Sequence, residues 1–165
     1  MTDFFNLLIA DRGQKAHLIH LVDKDSFEEW SKSRPAEDRV LLKAHGFDGK
    51  SGYAFVILPR KGEEFEVVSA VADAKELSPW CLAKLGESLP KGTYKLAHGE
   101  PGPATLGWLL GQHRFDAYRS KKDESERGPR VLVTGEPARI DRAIRMAEDR
   151  EEFAEAMSRY GVSDD

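Results

Sequence analysis

Thr93-Tyr94-Lys95-Leu96-Ala97-His98-Gly99-Glu100-Pro101-Gly102-Pro103-Ala104-Thr105-Leu106-Gly107-Trp108-Leu109-Leu110 is the stretch whose reading decides the fold. Residues 93–97 carry strand-type side chains. A loop rich in glycine and proline follows, and from Leu106 the apolar residues recur at helical spacing. The helix is expected to continue through His113, Phe115 and Tyr118 and to end near Ser120. The same grammar returns later, where the apolar run 130–134 leads through Gly135-Glu136-Pro137 into another helical pattern. Proline suits a first helical turn because the N–H it lacks has no intrahelical partner there, and an acid is favourable near the positive end of the helix dipole.

Working outward, residues 4–9 and 16–22 read as strands separated by the turn-type Asp11-Arg12-Gly13. Ser26 and Glu29 have the spacing of a capping box, so a helix starts there; Pro35 interrupts it, and a second piece covers residues 36–44. Residues 53–58 and 65–72 form the best hairpin candidate, joined through the proline and glycine of residues 59–64. Ser78-Pro79 opens a helix carrying Trp80, Leu82, Ala83, Leu85 and Leu89 and ending near Pro90. Strand and helix alternate over most of the chain. The expected class is α/β, a three-layer α/β/α arrangement around a mixed, mostly parallel sheet.

The 165 residues suit one domain, and a chain of this length buries a core without disulfides. A net charge of −4 gives no overall attraction to nucleic acid or anionic lipid. With a single cysteine, Cys81, no internal disulfide and no cysteine-based zinc cluster can form, which suits a cytoplasmic location. The N-terminus lacks the pattern of a signal peptide, and no run approaches a membrane span.

Candidate chemistry is sparse. His17 and His20 lie three apart in an expected strand, so they should face opposite sides and share no metal; His45, His98 and His113 lack partners at ligand spacing. Cys81 falls in the expected first turn of a helix, where a thiol pKa is lowered, but no base accompanies it and a buried structural cysteine is the better reading. The loop at residues 98–103 stands where α/β proteins hold phosphate, yet Pro101 and Pro103 offer no N–H and Glu100 adds negative charge. The basic residues 119–122 are cancelled by Asp123, Glu124 and Glu126, and Trp108, Phe115 and Tyr118 read as core. No catalytic, cofactor-binding or metal-ligating residue is assigned.

Two stretches carry a resemblance. Residues 85–96, Leu-Gly-Glu-Ser-Leu-Pro-Lys-Gly-Thr-Tyr-Lys-Leu, and residues 104–119, including Leu106-Gly107-Trp108-Leu109-Leu110-Gly111-Gln112-His113-Arg114-Phe115, are similar to the N-terminal domain of the leucyl (cytosol) aminopeptidase family. His113 stands where that family commonly has tyrosine. The resemblance covers residues 1–148 and implies a macro-domain-like fold. It also implies a separate catalytic domain, in which two divalent metals, zinc or manganese, with a lysine and an arginine do the chemistry; no residue of that site lies in this chain. The implied function is therefore the non-catalytic N-terminal domain of a metallo-aminopeptidase, inactive alone, associating with itself or with full-length subunits. The alternatives are a macro-like module binding a nucleotide or ADP-ribose, or a self-association domain.

Residues 149–165 read as a divergent helical tail. At about 100° per residue, Ile140, Ala143, Ile144 and Ala147 share one helical face, while Phe153, Met157 and Tyr160 cluster roughly 135° away across the charged residues 148–152. A straight helix would bury two faces, so a kink near Asp149 or a tail of different origin is expected.

Overall fold

The computed structural model describes residues 4–50, 52, 54–116 and 129–159. In chain order the elements are β1 (Leu8–Ala10), β2 (His17–Val22), α1 (Phe27–Lys32), α2 (Ala36–Ala44), β3 (Phe55–Pro59), β4 (Phe65–Ala70), α3 (Ala83–Ser88), β5 (Gly92–Leu96), α4 (Thr105–Asp116), β6 (Arg130–Thr134) and α5 (Ile140–Arg159). The strands form one six-stranded sheet in the order β1-β6-β5-β2-β4-β3. Among the described residues only β3 runs antiparallel, paired to β4 as the expected hairpin, and the other neighbours are parallel. The α/β class with a mixed, mostly parallel sheet is as read from the sequence.

Alternate strand residues face two separate cores, as the pleat requires. On one face Leu8, Leu132, Tyr94, Leu96, Ile19 and Val67 meet side chains from α3, α4 and α5; on the other Val22, Val56, Leu58, Val68 and Ala70 meet Leu42 and Phe47, with Phe27 and Trp30 packed alongside. The helices thus make two layers around the sheet. Trp108 on α4 is fully buried, lies edge-on to Tyr94 at 5.7 Å and donates its indole N–H to the Arg130 carbonyl. Burying a side chain of this size contributes about 2–3 kcal/mol.

Several local expectations are corrected. Residues 4–6 form a 3-10 turn rather than strand, closed by Leu7 N–H donating to the Phe4 carbonyl, which tucks Phe4 into the core and leaves β1 only three residues. The capping box fails because the Ser26 hydroxyl accepts from Asp23 N–H instead of capping α1. The helix expected from Ser78 starts at Ala83; residues 79–82 are turns, with Ser78 Oγ accepting from Trp80 N–H. That places Cys81 before the helix, buried, its Sγ accepting from Ser78 N–H at 3.3 Å.

At the C-terminal end, Pro137 begins a 3-10 turn that runs directly into α5, and α5 continues without a break in helical structure from Ile140 to Arg159. Ala143, Ile144 and Ala147 are buried as their shared face predicts. The side chains of Phe153 and Met157 and the whole of Tyr160 lie outside the described residues, as do residues 117–128 and the side chains of His113 and Phe115.

Candidate functional site

A parallel sheet offers ligands a crevice where neighbouring strands send their onward connections to opposite faces. Here that point lies between β2 and β5. From β2 the chain passes to α1 and α2 on one face, and from β5 it passes to α4 on the other. At the carboxyl ends of these strands lies a cleft of about 730 Å³, lined by apolar side chains such as Leu21, Leu77 and Leu96, by the 98–103 loop, and by His20 and Trp30.

Asp23 lies behind the lining and ties two of its residues, Ser26 and Ala74, together. Buried just past the end of β2, its carboxylate accepts from Ala74 N–H at 2.8 Å, Ser26 N–H at 2.9 Å and Asp25 N–H at 3.0 Å, tying the loop after β4 to the start of α1. The Ala74 amide, with those of Ser26 and Asp25, holds its pKa below the ordinary carboxylate value against the effect of burial.

His20 is set by a chain of charges behind it. The Asp38 carboxylate, itself buried, takes a two-pronged bond from Arg60 Nη1 and Nη2 at 2.8 and 2.9 Å; Arg60 Nε reaches Glu66 Oε2 at 2.6 Å, and Glu66 Oε1 lies 2.6 Å from His20 Nε2. The Asp38 bond raises the Arg60 pKa, with Glu66 adding to it. Burial works to raise the Glu66 pKa, but the bonds from His20 and Arg60 outweigh it and hold Glu66 ionised. Burial lowers the pKa of His20 more than Glu66 raises it. A neutral imidazole beside an ionised carboxylate must donate from Nε2, which leaves Nδ1 as an acceptor. That atom is buried and has no hydrogen-bond partner, and the same is true of Trp30 Nε1. Trp30 stands 5.5 Å from the His20 ring, centroid to centroid.

The loop reads as its sequence suggested. Pro101 and Pro103 line the cleft without N–H groups, and the Glu100 carboxylate turns to β6, accepting from Gly135 N–H at 2.8 Å and Thr134 Oγ1 at 3.3 Å. The junction at Gly135 is therefore filled by the chain's own carboxylate. A second cavity, of about 360 Å³ beside Lys15, His17 and Phe65, is lined by satisfied groups: Lys15 pairs with Glu64, and His17 Nδ1 donates to the Phe65 carbonyl.

His17 and His20 lie on opposite faces, as the strand period requires: His17 stacks on Phe65 at 3.9 Å while His20 meets Trp30. His98 is exposed on the cleft rim, and His45 is exposed at the end of α2. Among the described residues no three His, Cys, Asp or Glu side chains converge as a metal site would need, so these residues do not fit a metal pair. No described helix is long and apolar enough to cross a membrane. The sequence reading missed Trp30, Asp23 and the Asp38–Arg60–Glu66 chain. Its available signal was Glu66, a charge inside the apolar run Phe65-Glu66-Val67-Val68.

Comparison with known proteins gives a consistent picture. The family described as M17 aminopeptidase, N-terminal domain, matches residues 18–128. A probable cytosol aminopeptidase of Wolinella succinogenes is 30% identical over 118 residues, covering 68% of this chain and 23% of that protein. The crystal structure of a cytosol aminopeptidase from Coxiella burnetii superposes with a TM-score of 0.58 at 22% identity, covering 76% of this chain and 28% of that one. The chain spans about a quarter of the length of these relatives.

Proposed function

Because the chain belongs to the M17 aminopeptidase family through its N-terminal domain, we propose that it is the non-catalytic scaffold domain of a metallo-aminopeptidase whose chemistry resides in a separate domain. The match of residues 18–128 to that domain carries the reading. In the complete enzyme two divalent metals would polarise the peptide carbonyl and activate water to release an N-terminal residue. The polypeptide itself, mixed with manganese or zinc and a leucine-derived chromogenic amide, should give no turnover; clear turnover by pure protein overturns the proposal. Residues 1–148 form the macro-like unit and 149–165 the divergent tail, in a cytoplasmic protein that associates with itself or with full-length subunits.

The cleft favours a second reading, a module that holds a nucleotide or ADP-ribose. Its supports are the place of the cleft between β2 and β5 and its lining of apolar side chains with a few polar ones. Calorimetric titration with ADP-ribose tests it; saturable binding supports the module, and flat heats reject it.

A further inference from the structure

We propose that the groove between the start of α4 and the first turns of α5 docks an acidic, apolar segment of a partner protein, whose apolar side chains enter the groove while its carboxylates meet Arg142 and Arg150. The inference goes beyond both readings above and rests on neither.

Trp80 and Met146 are 47% and 43% exposed, and they belong to one surface. Met146 lines a groove of about 250 Å³ with Pro79, Pro103, Leu106 and Ala143, and Trp80 follows Pro79 in the chain. The Arg150 guanidinium lies 5.7 Å from the centre of the Trp80 ring, and Arg150 stands one turn beyond Met146 on the same flank of α5. The frame under these side chains is fixed. The Pro79 carbonyl accepts from Gly107 N–H at 2.9 Å and the Trp80 carbonyl from Ala83 N–H at 3.1 Å, so backbone bonds tie the turn to both α4 and α3. An apolar surface held open on such a frame is stabilised by being covered.

Charge selects the occupant. Among the described residues the charged side chains lining the groove are both arginines, Arg139 and Arg142, although the whole chain carries a net charge of −4. Arg139 spends Nε on Glu136 at 3.1 Å, whereas Arg142 makes no ion pair among the described residues. At about 100° per residue, Arg142, Met146 and Arg150 fall on one flank of α5, and Asp141, Glu148 and Glu152 on the other side of its buried face; Asp149 takes the position opposite that face. The helix thus turns its cations toward the apolar groove and most of its acids away. Arginine suits a carboxylate partner because its planar fork bonds both oxygens and is more weakly hydrated than an ammonium group. Tryptophan, methionine and arginine are also the residues enriched where proteins meet. A membrane is the poorer fit: a flat anionic surface would not enter a concave groove and would meet Asp149 beside the arginines.

The test is a titration of the isotope-labelled full chain with a short synthetic peptide of alternating leucine and glutamate, observing the indole N–H resonances of Trp30, Trp80 and Trp108. A Trp80→Phe variant assigns the Trp80 signal. That signal should shift saturably, while Trp108, buried and already donating to the Arg130 carbonyl, stays in place. Arg142→Gln combined with Arg150→Gln should weaken binding about fivefold, the effect of losing two exposed ion pairs. Arg39→Gln removes a charge from an exposed position on α2, across the sheet, and should leave binding unchanged. A peptide with glutamine in place of glutamate should bind about fivefold more weakly to the unaltered protein. The proposal is overturned if the glutamine peptide binds equally well, if Arg39→Gln weakens binding as much as the paired variant does, or if the Trp80 signal does not move at millimolar peptide. Sedimentation of the protein with phosphatidylserine vesicles, without peptide binding, would make the surface a membrane contact and overturn it too. Amide turnover and ADP-ribose titration, which test the two earlier readings, are unaffected by any of these results.

Discussion

A methyl group in place of one hydrogen at Gly111 would run into the Ala83 carbonyl, because α3 and α4 pack backbone against backbone at that point. Gly107 meets the Pro79 carbonyl in the same way, and Gly86 on α3 meets the Trp108 carbonyl. Gly111→Ala should therefore lower stability by ~1–3 kcal/mol in urea denaturation, although alanine is the better helix former by ~1 kcal/mol. An unchanged or raised midpoint would show that the helices can move apart freely. Gln112, one residue on, both donates to the Arg130 carbonyl and accepts from its N–H, pinning the first residue of β6 to α4. Gln112→Leu strands the Arg130 N–H inside the protein, and a loss of about 1–3 kcal/mol is expected from the same measurement. These roles were invisible in the sequence. Glycines in a helical pattern look like weak points until the neighbouring backbone is in place, and Gln112 acquires its partner only from a residue eighteen positions away.

At the scale of elements, the connection between α2, β3, β4 and β2 runs through side chains that titrate. His20 has its pKa lowered on folding from 6.5, chiefly by burial. Above that value both folded and unfolded forms are neutral and the native state keeps its full stability. Below it the unfolded chain binds the proton more readily, so stability falls as pH drops from 6.5 toward the folded pKa. Unfolding measured at roughly pH 7.5 and 5.5 should show this loss, and His20→Gln should shrink it; an equal pH dependence in both proteins would remove His20 as its source. Asp23 adds a separate, more acidic limb. Its pKa is lowered from 3.8, so its contribution is complete above that value and disappears as pH falls through the folded pKa. The hairpin, the parallel strands and α2 after Pro35 were legible because each rests on local period or on a proline. The Ser26–Glu29 box and the helix start at Ser78 were misread, since local turns took those hydroxyls, Ser26 Oγ accepting from Asp23 N–H and Ser78 Oγ from Trp80 N–H.

For the whole molecule, the association proposed for this domain predicts a solution mass above that of one chain, dropping to a single chain when residues 149–165 are removed. A single-chain mass for both forms would dismiss the tail as a contact. The cleft and the scaffold are different claims about the same body, and they are separated by ADP-ribose titration on one side and amide turnover on the other. The sequence by itself determined the class of fold, the mostly parallel sheet and the family, because alternation of strand and helix and the residues of the 85–119 region are local patterns carried along the chain. Only the tertiary structure decided where a ligand could sit. The cleft is made by the ends of β2 and β5, the segment after β4 and the start of α1, which are far apart in sequence, and His20 and Trp30, which line it, are distinguished by burial and by hydrogen bonds made or left open. Burial and pairing are properties of neighbours in space, which no residue's place in the sequence specifies.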